Sequence, residues 1–353
     1  MNKARWPGLL MACLLVLGVL MLAGCQPAQE AETLPEPTEA PAEQVQPVDT
    51  ERVAEERRIQ TGDERLRRVA ISPDGDLVAT GQYLAVQLWN LANGSLVGTI
   101  EQRHSVEDLA FSPDGTMLAA GLTLYGVHLS SAADGMETTQ LGSGFDNRVA
   151  FAPGGQTLAS GNREGVVYLW DVDSGEQIDE WAVPDPDNVT ALAFSPDGSL
   201  LAVGHMDGYV RIWNTGDGTL ADSLEPGSDY CTADGLAFSP DGQLLAVAGA
   251  QRDFDRIVRV WNVAEGSIHQ ELDMDRAPSN AVAISPDGTL LAASATDGVW
   301  LWDMADGSLL ETLQILDEEN EVVWTSDVAF APDSQSLAAA MRNGDLVIWS
   351  IQR

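Results

Sequence analysis

Residues 191–214 read ALAFSPDGSLLAVGHMDGYVRIWN, and this pattern returns seven times along the 353-residue chain. Each copy has an apolar triplet, a turn, a second apolar run, a second turn and a third run, which here ends in Trp213. The turn core recurs at Ser72, Ser112, Ala152, Ser195, Ser239, Ser285 and Ala331, at spacings of 40 to 46 residues. A nearly fixed period of that size implies a repeat architecture, in which each unit buries its apolar face only by stacking on its neighbours.

The triplet before the turn alternates large, Ala, large: Val69-Ala70-Ile71, Leu109-Ala110-Phe111, Leu192-Ala193-Phe194 and their equivalents. In a strand the large pair shares one face and the alanine takes the other, so both faces are apolar and both are expected to be buried. Ser-Pro-Asp-Gly then suits a tight turn, with Pro presetting φ and Gly taking the left-handed position. The seventh copy has Ser334 where the others have Gly, a cost of about 1–2 kcal/mol if the turn geometry is retained. Third strands end in Trp89, Trp170, Trp213, Trp261, Trp302 and Trp349. In the second copy Ser130 replaces the Trp, which marks that unit as the one with the least core volume.

The period, the Ser-Pro-Asp-Gly and Asp-Gly turns, and Trp-Asp or Trp-Asn at 170, 213, 261 and 302 resemble the WD40 repeat family over residues 52–353. The resemblance implies an all-β, seven-bladed β-propeller of four-stranded antiparallel blades. The Gly-His dipeptide of that family is mostly absent: His104 approximates it, and His205 follows Gly204 on the wrong side of its strand. Apolar packing should therefore carry more of these blades than a His/Asp network. After Trp349 only four residues remain, too few for a last outer strand, whereas residues 53–59 precede the first copy without belonging to it. That segment is expected to complete the last blade and close the ring, removing two unpaired edges.

Residues 1–24 have Lys3 and Arg5, an apolar run, and Leu22-Ala23-Gly24 before Cys25. The run is short for a membrane span and reads as a signal segment; an ordinary secretory signal would not need Cys at that place. The tetrapeptide resembles the bacterial lipobox, which implies cleavage before Cys25 and a lipid anchor on its thiol. Two or three acyl chains would hold stably. Residues 25–51, rich in Pro and Glu, read as a disordered tether spanning roughly 30–80 Å. The implied location is the bacterial cell envelope, on the outer face of the cytoplasmic membrane or on an outer membrane.

The formal net charge is -36, from 18 basic and 54 acidic residues. So acidic a chain is a poor nucleic-acid binder. The three cysteines, Cys13, Cys25 and Cys231, offer no disulfide framework, and His104, His128, His205 and His269 show no metal-ligand spacing. No catalytic, metal or cofactor residues are expected, and the faint calcium-loop look of 171–175 falls in an ordinary turn. In the family layout the Ser-Pro-Asp-Gly turns occupy one rim, and the longer connections at 184–188, 227–234, 249–256, 274–280 and 317–325 the other. Loops that vary on a fixed scaffold are where recognition resides. Tyr230, Arg252, Asp253, Phe254, Asp255, Arg256 and Trp324 are the candidate partner-binding residues of that long-loop rim. Aromatics in an acidic field suit a basic or cation-bearing protein partner. The dense cluster Arg57, Arg58, Arg65, Arg67 and Arg68 is read as edge protection and solubility, with a partner site as the alternative. The expected function is a membrane-anchored, non-catalytic interaction scaffold with a monomeric propeller. The alternatives are a ligand- or cation-sensing propeller and a propeller hydrolase or lyase.

Overall fold

The computed structural model describes residues 53–62, 65–142, 144, 148–184, 187–225, 232–249, 257–274, 279–317 and 319–352. The signal segment, Cys25, the tether, Tyr230 and residues 252–256 lie outside the described residues. Within them the chain forms seven four-stranded antiparallel sheets. The first blade comprises β2 (Arg68–Ile71), β3 (Leu77–Gly81), β4 (Ala85–Asn90) and β5 (Leu96–Glu101), and they are preceded by β1 (Val53–Gln60). Each blade runs outward from a central channel, its innermost strand being the apolar triplet. Innermost strands of successive blades neighbour one another around the whole circle, including the last against the first.

Ring closure follows the expectation from the chain ends. Strand β1 joins the last sheet as its outer strand, pairing antiparallel with Asp345–Ile351 in the register Val53↔Ile351 to Gln60↔Asp345. In all seven blades the pairing of third and outer strands slips at the Trp position, Ser130 included. A bulge there strengthens local twist, which each blade of a propeller needs.

Between blades lie mixed apolar layers. Val69, Ile71, Val78 and Trp89 of the first blade pack against Ala338, Ala340 and Ile348 of the last. Its opposite face, Ala70, Ala79, Val86 and Leu88, meets Leu109, Phe111 and Leu118 of the second. The large-Ala-large triplet thus sends its bulk toward the preceding blade and its alanine toward the following one. The layer between the first and second blades contains no Trp, as Ser130 foretells, whereas the other six each contain at least one.

The turns also interlock. At Gly198 an added Cβ would lie 3.4 Å from Pro153 of the preceding blade, and at Gly75 it would lie 3.6 Å from Pro332, across the closure. Ser195 donates its hydroxyl to Asp197 at 2.6 Å and accepts the Leu200 N–H at 2.9 Å. That hydroxyl is the main reason Asp197 titrates at about 2. Ser334 does sit at positive φ (58°), and its hydroxyl accepts the Asp287 N–H of the preceding blade at 3.1 Å, which offsets its backbone strain.

Two blades add a polar tie that the sequence reading did not foresee: Trp89 Nε1 donates to Thr80 Oγ1 (3.0 Å) and Trp170 Nε1 to Ser160 Oγ (2.9 Å). In the fourth blade Val203 holds the corresponding place, and the buried Trp213 Nε1 has no hydrogen-bond partner among the described residues. An unsatisfied buried donor costs about 1–3 kcal/mol. Val203→Thr should therefore raise unfolding free energy by about 1 kcal/mol in denaturant titrations; a loss of stability would show that the indole is satisfied otherwise. Deletion of residues 1–61 removes the outer strand of the last blade and opens the edge of Asp345–Ile351, so the truncated chain should aggregate or melt far below the full chain. A truncated chain that stays monomeric with an unchanged Tm would contradict closure by β1.

Candidate functional site

The residues just before the apolar triplets of the innermost strands ring the channel mouth on the long-loop rim. Here the repeats stop agreeing. Going round the ring, the positions are Arg67-Arg68, Glu107-Asp108, Arg148, Thr190-Ala191, Asp234-Gly235, Asn280-Ala281 and Ser326-Asp327. They enclose a cavity of about 280 Å³ bounded by Arg65, Arg67, Arg68, Arg148, Arg342, Glu107, Asp234, Asn280 and Ser326. Five of the 18 basic residues of the chain gather there, facing two carboxylates. A smaller chamber of about 110 Å³ lies alongside, lined by Arg68, Arg148, Asp108, Asp234 and Asp327 among others.

Some of this charge has structural work. Asp108 accepts the N–H groups of Leu109 (3.1 Å) and of Val149 in the next blade (3.0 Å). Asp327 does the same for Val328 and, across the ring closure, Val69, both at 3.0 Å. Each carboxylate thus latches two neighbouring inner strands. Arg68 stands 3.5 Å from Asp108 and donates to the Arg67 carbonyl. Arg67 grips both oxygens of Glu107 at 3.0 and 3.2 Å, and Glu107 also accepts the Thr123 hydroxyl at 2.8 Å. Arg148 donates to the Glu107 carbonyl, while its buried Nε has no hydrogen-bond partner among the described residues.

The protonation states follow from crowding. Asp327 lines a water-reachable channel, yet protein surrounds it closely enough to push its carboxyl up to about 6, with Arg68 opposing the rise. Burial also raises Asp234, against the Thr232 hydroxyl and Arg148. Burial and the Arg68 charge lower Arg148; burial, Arg65 and Arg67 lower Arg342.

Of the rim residues singled out by sequence, only Trp324 lies within the described structure. It is 47% exposed, and the Arg342 guanidinium sits 4.8 Å over its ring while Arg342 N–H donates to the Trp324 carbonyl. It therefore stands beside the arginine-lined mouth. The same rim exposes Tyr83, Leu84, Leu124, Tyr125 and Met206 on the turns after second strands. Tyr125 stacks on His104 (4.5 Å between ring centres), and Leu124 takes a strained φ of 77°. On the outer strands the exposed aliphatics are few and spread over the blades: Leu96 and Val97 together on the first, and Ile178, Leu220, Ile268 and Leu309 singly on others. Scattered apolar residues of that kind carry no site.

The arginine cluster is divided by the structure. Arg57 donates to the carbonyls of Leu91 and Ala92 and Arg58 lies 4.0 Å from Asp345, so both tie the closing strand to its surroundings. Arg65, Arg67 and Arg68 instead line the channel mouth. Arg148 and Arg342 join them there, and the sequence reading missed both. Arg148 opens the innermost strand of the third blade, whereas Arg342 follows the second strand of the seventh, so no single position of the repeat marked both. The turn at 171–175 is an Asx turn, with Asp171 accepting both the N–H and the hydroxyl of Ser174 at 2.8 Å. No group of three or more His, Cys, Asp or Glu residues able to hold a metal occurs among the described residues.

The raised carboxyl gives a test of the latch. A carboxyl whose folded pKa is about 6 binds its proton more tightly in the folded chain, so its contribution to stability falls as pH rises from about 4 to 6. The unfolding free energy of the native chain relative to Asp327→Asn should drop over that window by at most about 3 kcal/mol and then level off. A difference independent of pH would contradict the placement of this group.

Comparison with known proteins agrees with this geometry. The family model described as WD domain, G-beta repeat, matches residues 94–135, 147–171, 181–214 and 230–262. The chain is 32% identical over 100 residues to small ribosomal subunit protein RACK1y of Oryza sativa subsp. japonica, 28% of each chain. It is 31% identical over 100 residues to small ribosomal subunit protein RACK1 of Caenorhabditis elegans, covering 28% of this chain and 29% of that one. A periodic tryptophan protein 2 homolog of Neurospora crassa is 29% identical over 105 residues, 30% of this chain and 11% of that one. The matches thus span less than a third of these relatives. The chain thus carries WD40 repeats in four matched segments, within seven four-stranded blades that form one closed ring.

Proposed function

We propose that this propeller is a non-catalytic interaction platform that binds a protein partner through its long-loop rim. The observation that carries the reading is the asymmetry between the rims. One rim repeats the same interlocked turn from blade to blade. The other carries an arginine-lined depression beside exposed Trp324, with Tyr83 and Tyr125 on neighbouring turns. Aromatic and arginine side chains at a concave centre are the residue types that anchor protein interfaces. At long range the chain's charge of -36 steers basic surfaces toward it, so a partner basic around its contact area fits.

The lipobox-like sequence ending at Cys25 supports attachment of the platform to a membrane of the bacterial envelope, with the Pro/Glu-rich segment as its tether. Propellers that sense a ligand or cation, or that catalyse hydrolysis or elimination, are the competing readings, and no described cluster of side chains favours them.

A photo-crosslinking residue placed at position 324 should capture one discrete partner in intact source cells, and the same residue at position 114, on the Ser-Pro-Asp-Gly rim, should not. Replacing Tyr83 and Tyr125 with Ala in the position-324 protein should reduce the yield at least tenfold without lowering Tm. Equal capture from both rims, or capture indifferent to those substitutions, would contradict the assignment.

A further inference from the structure

We propose that the channel mouth is a receptor for an acidic peptide segment, whose carboxylates are taken up by Arg65, Arg67, Arg68, Arg148 and Arg342. This rests on the reading of the long-loop rim as the partner-binding face and specifies what the partner must insert there.

The chain has three acidic residues for each basic one, 54 against 18, yet at this cavity the ratio is reversed, with five arginines against Glu107 and Asp234. Internal pairing consumes that charge only in part, through Arg67 with Glu107 and Arg68 with Asp108. Glu107 is engaged by Arg67 and Thr123, and Asp234 by the Thr232 hydroxyl. Arg65 and Arg342 form no ion pair among the described residues; Arg342 is held by the Trp324 ring, which fixes its position while leaving its donors without a carboxylate. The buried Arg148 Nε, also unsatisfied, lies in a side chain that lines both chambers. Guanidinium groups are suited to the task because their planar fork binds a carboxylate through two hydrogen bonds.

The surroundings set the class of ligand. Asp108 and Asp327 line the adjoining chamber, bound to strand N–H groups, so an anion is held at the mouth and repelled from that chamber. A polyanion such as nucleic acid would have to cross the acidic body, and among the described residues no basic track leads away from the mouth. A single acidic side chain or a short acidic segment needs only the local positive field, which acts within a screening length of about 8 Å at physiological salt. The Arg67–Glu107–Thr123 chain links the cavity to the turn that exposes Leu124 and Tyr125. Apolar residues flanking the acids in the peptide therefore have a surface to lie on.

Calorimetric titration of the full chain at 0.15 M salt tests this, with capped hexaglutamate, capped hexalysine and inorganic phosphate as probes. Hexaglutamate should bind one to one with submillimolar Kd, and hexalysine should give no one-to-one site sensitive to these arginines. Arg65→Glu and Arg342→Gln, which remove no ion pair among the described residues, should each weaken hexaglutamate at least tenfold with unchanged Tm. No binding of hexaglutamate, or equal binding by both variants, would overturn the proposal; so would phosphate binding as tightly as the peptide, which would mark an inorganic-anion site. If hexaglutamate fails while position-324 crosslinking still captures a partner, the cationic hub falls and the rim assignment stands. If hexaglutamate binds while crosslinking shows no rim preference, the hub stands and the partner reading falls.

Discussion

Every blade of this protein has two apolar faces and can cover neither by itself. The bulk of each inner triplet and, in six of the seven blades, the Trp of the third strand fill the layer toward the preceding blade, while alanines and small aliphatics receive the bulk of the following one. Such an array is satisfied only when its last member meets its first. The pairing of β1 with Asp345–Ile351 meets that condition, and the bonds of Asp327 to Val69 and the contact of Pro332 with Gly75 secure the same seam from the channel and from the turn rim. Closure is therefore held at three radii of the ring, with the apolar layer of Ile59, Val69, Trp89 and Ile348 between them.

A ring so fixed places residues distant in sequence at one point. Seven strand ends converge on the channel, and what they carry there is free to vary because the packing of each blade is set further out. The long-loop rim uses this freedom: it brings Arg67 and Arg68 of the first blade, Arg148 of the third and Arg342 of the seventh around one cavity. The acids at the same level, Asp108 and Asp327, are turned to structure, each joining two blades through backbone N–H groups. Charge that would be mutually destructive along a strand is thus divided into a latch and an exposed positive centre.

The blade was legible in residues 191–214 because its features are local: alternation of large and small residues, a Ser-Pro-Asp-Gly turn, a terminal Trp. Ring closure was legible for the same reason, since residues 53–59 had strand character and no partner in their own repeat. Ser334 was recognisable as the strained member of its column; the hydrogen bond from Asp287 N–H that compensates it was not, because that bond joins two blades. The site was harder to read. Arg65, Arg67 and Arg68 looked like an edge cluster when viewed along the chain, and single arginines at 148 and 342 drew no attention. Their meeting depends on rotation about the channel axis, which neither periodicity along a strand nor loop length reveals. Loop length directed attention to Tyr230 and residues 252–256, outside the described residues, and to Trp324, which the structure sets beside the cavity through Arg342.

The protection of β1 against amide exchange bears most directly on whether the ring is closed as a single cooperative body. Exchange should be followed residue by residue in the native chain, comparing Arg57–Ile59 with Ala338–Ala340 in the same sheet. If the ring depends on its seam, the amides of β1 that bond to the last third strand should exchange only through global opening, with the same free energy as those of the second strand. Rapid exchange of β1 while the inner strands stay protected would mean that the terminal strand frays from a body that is stable without it, and would contradict closure as the constraint on which the fold depends.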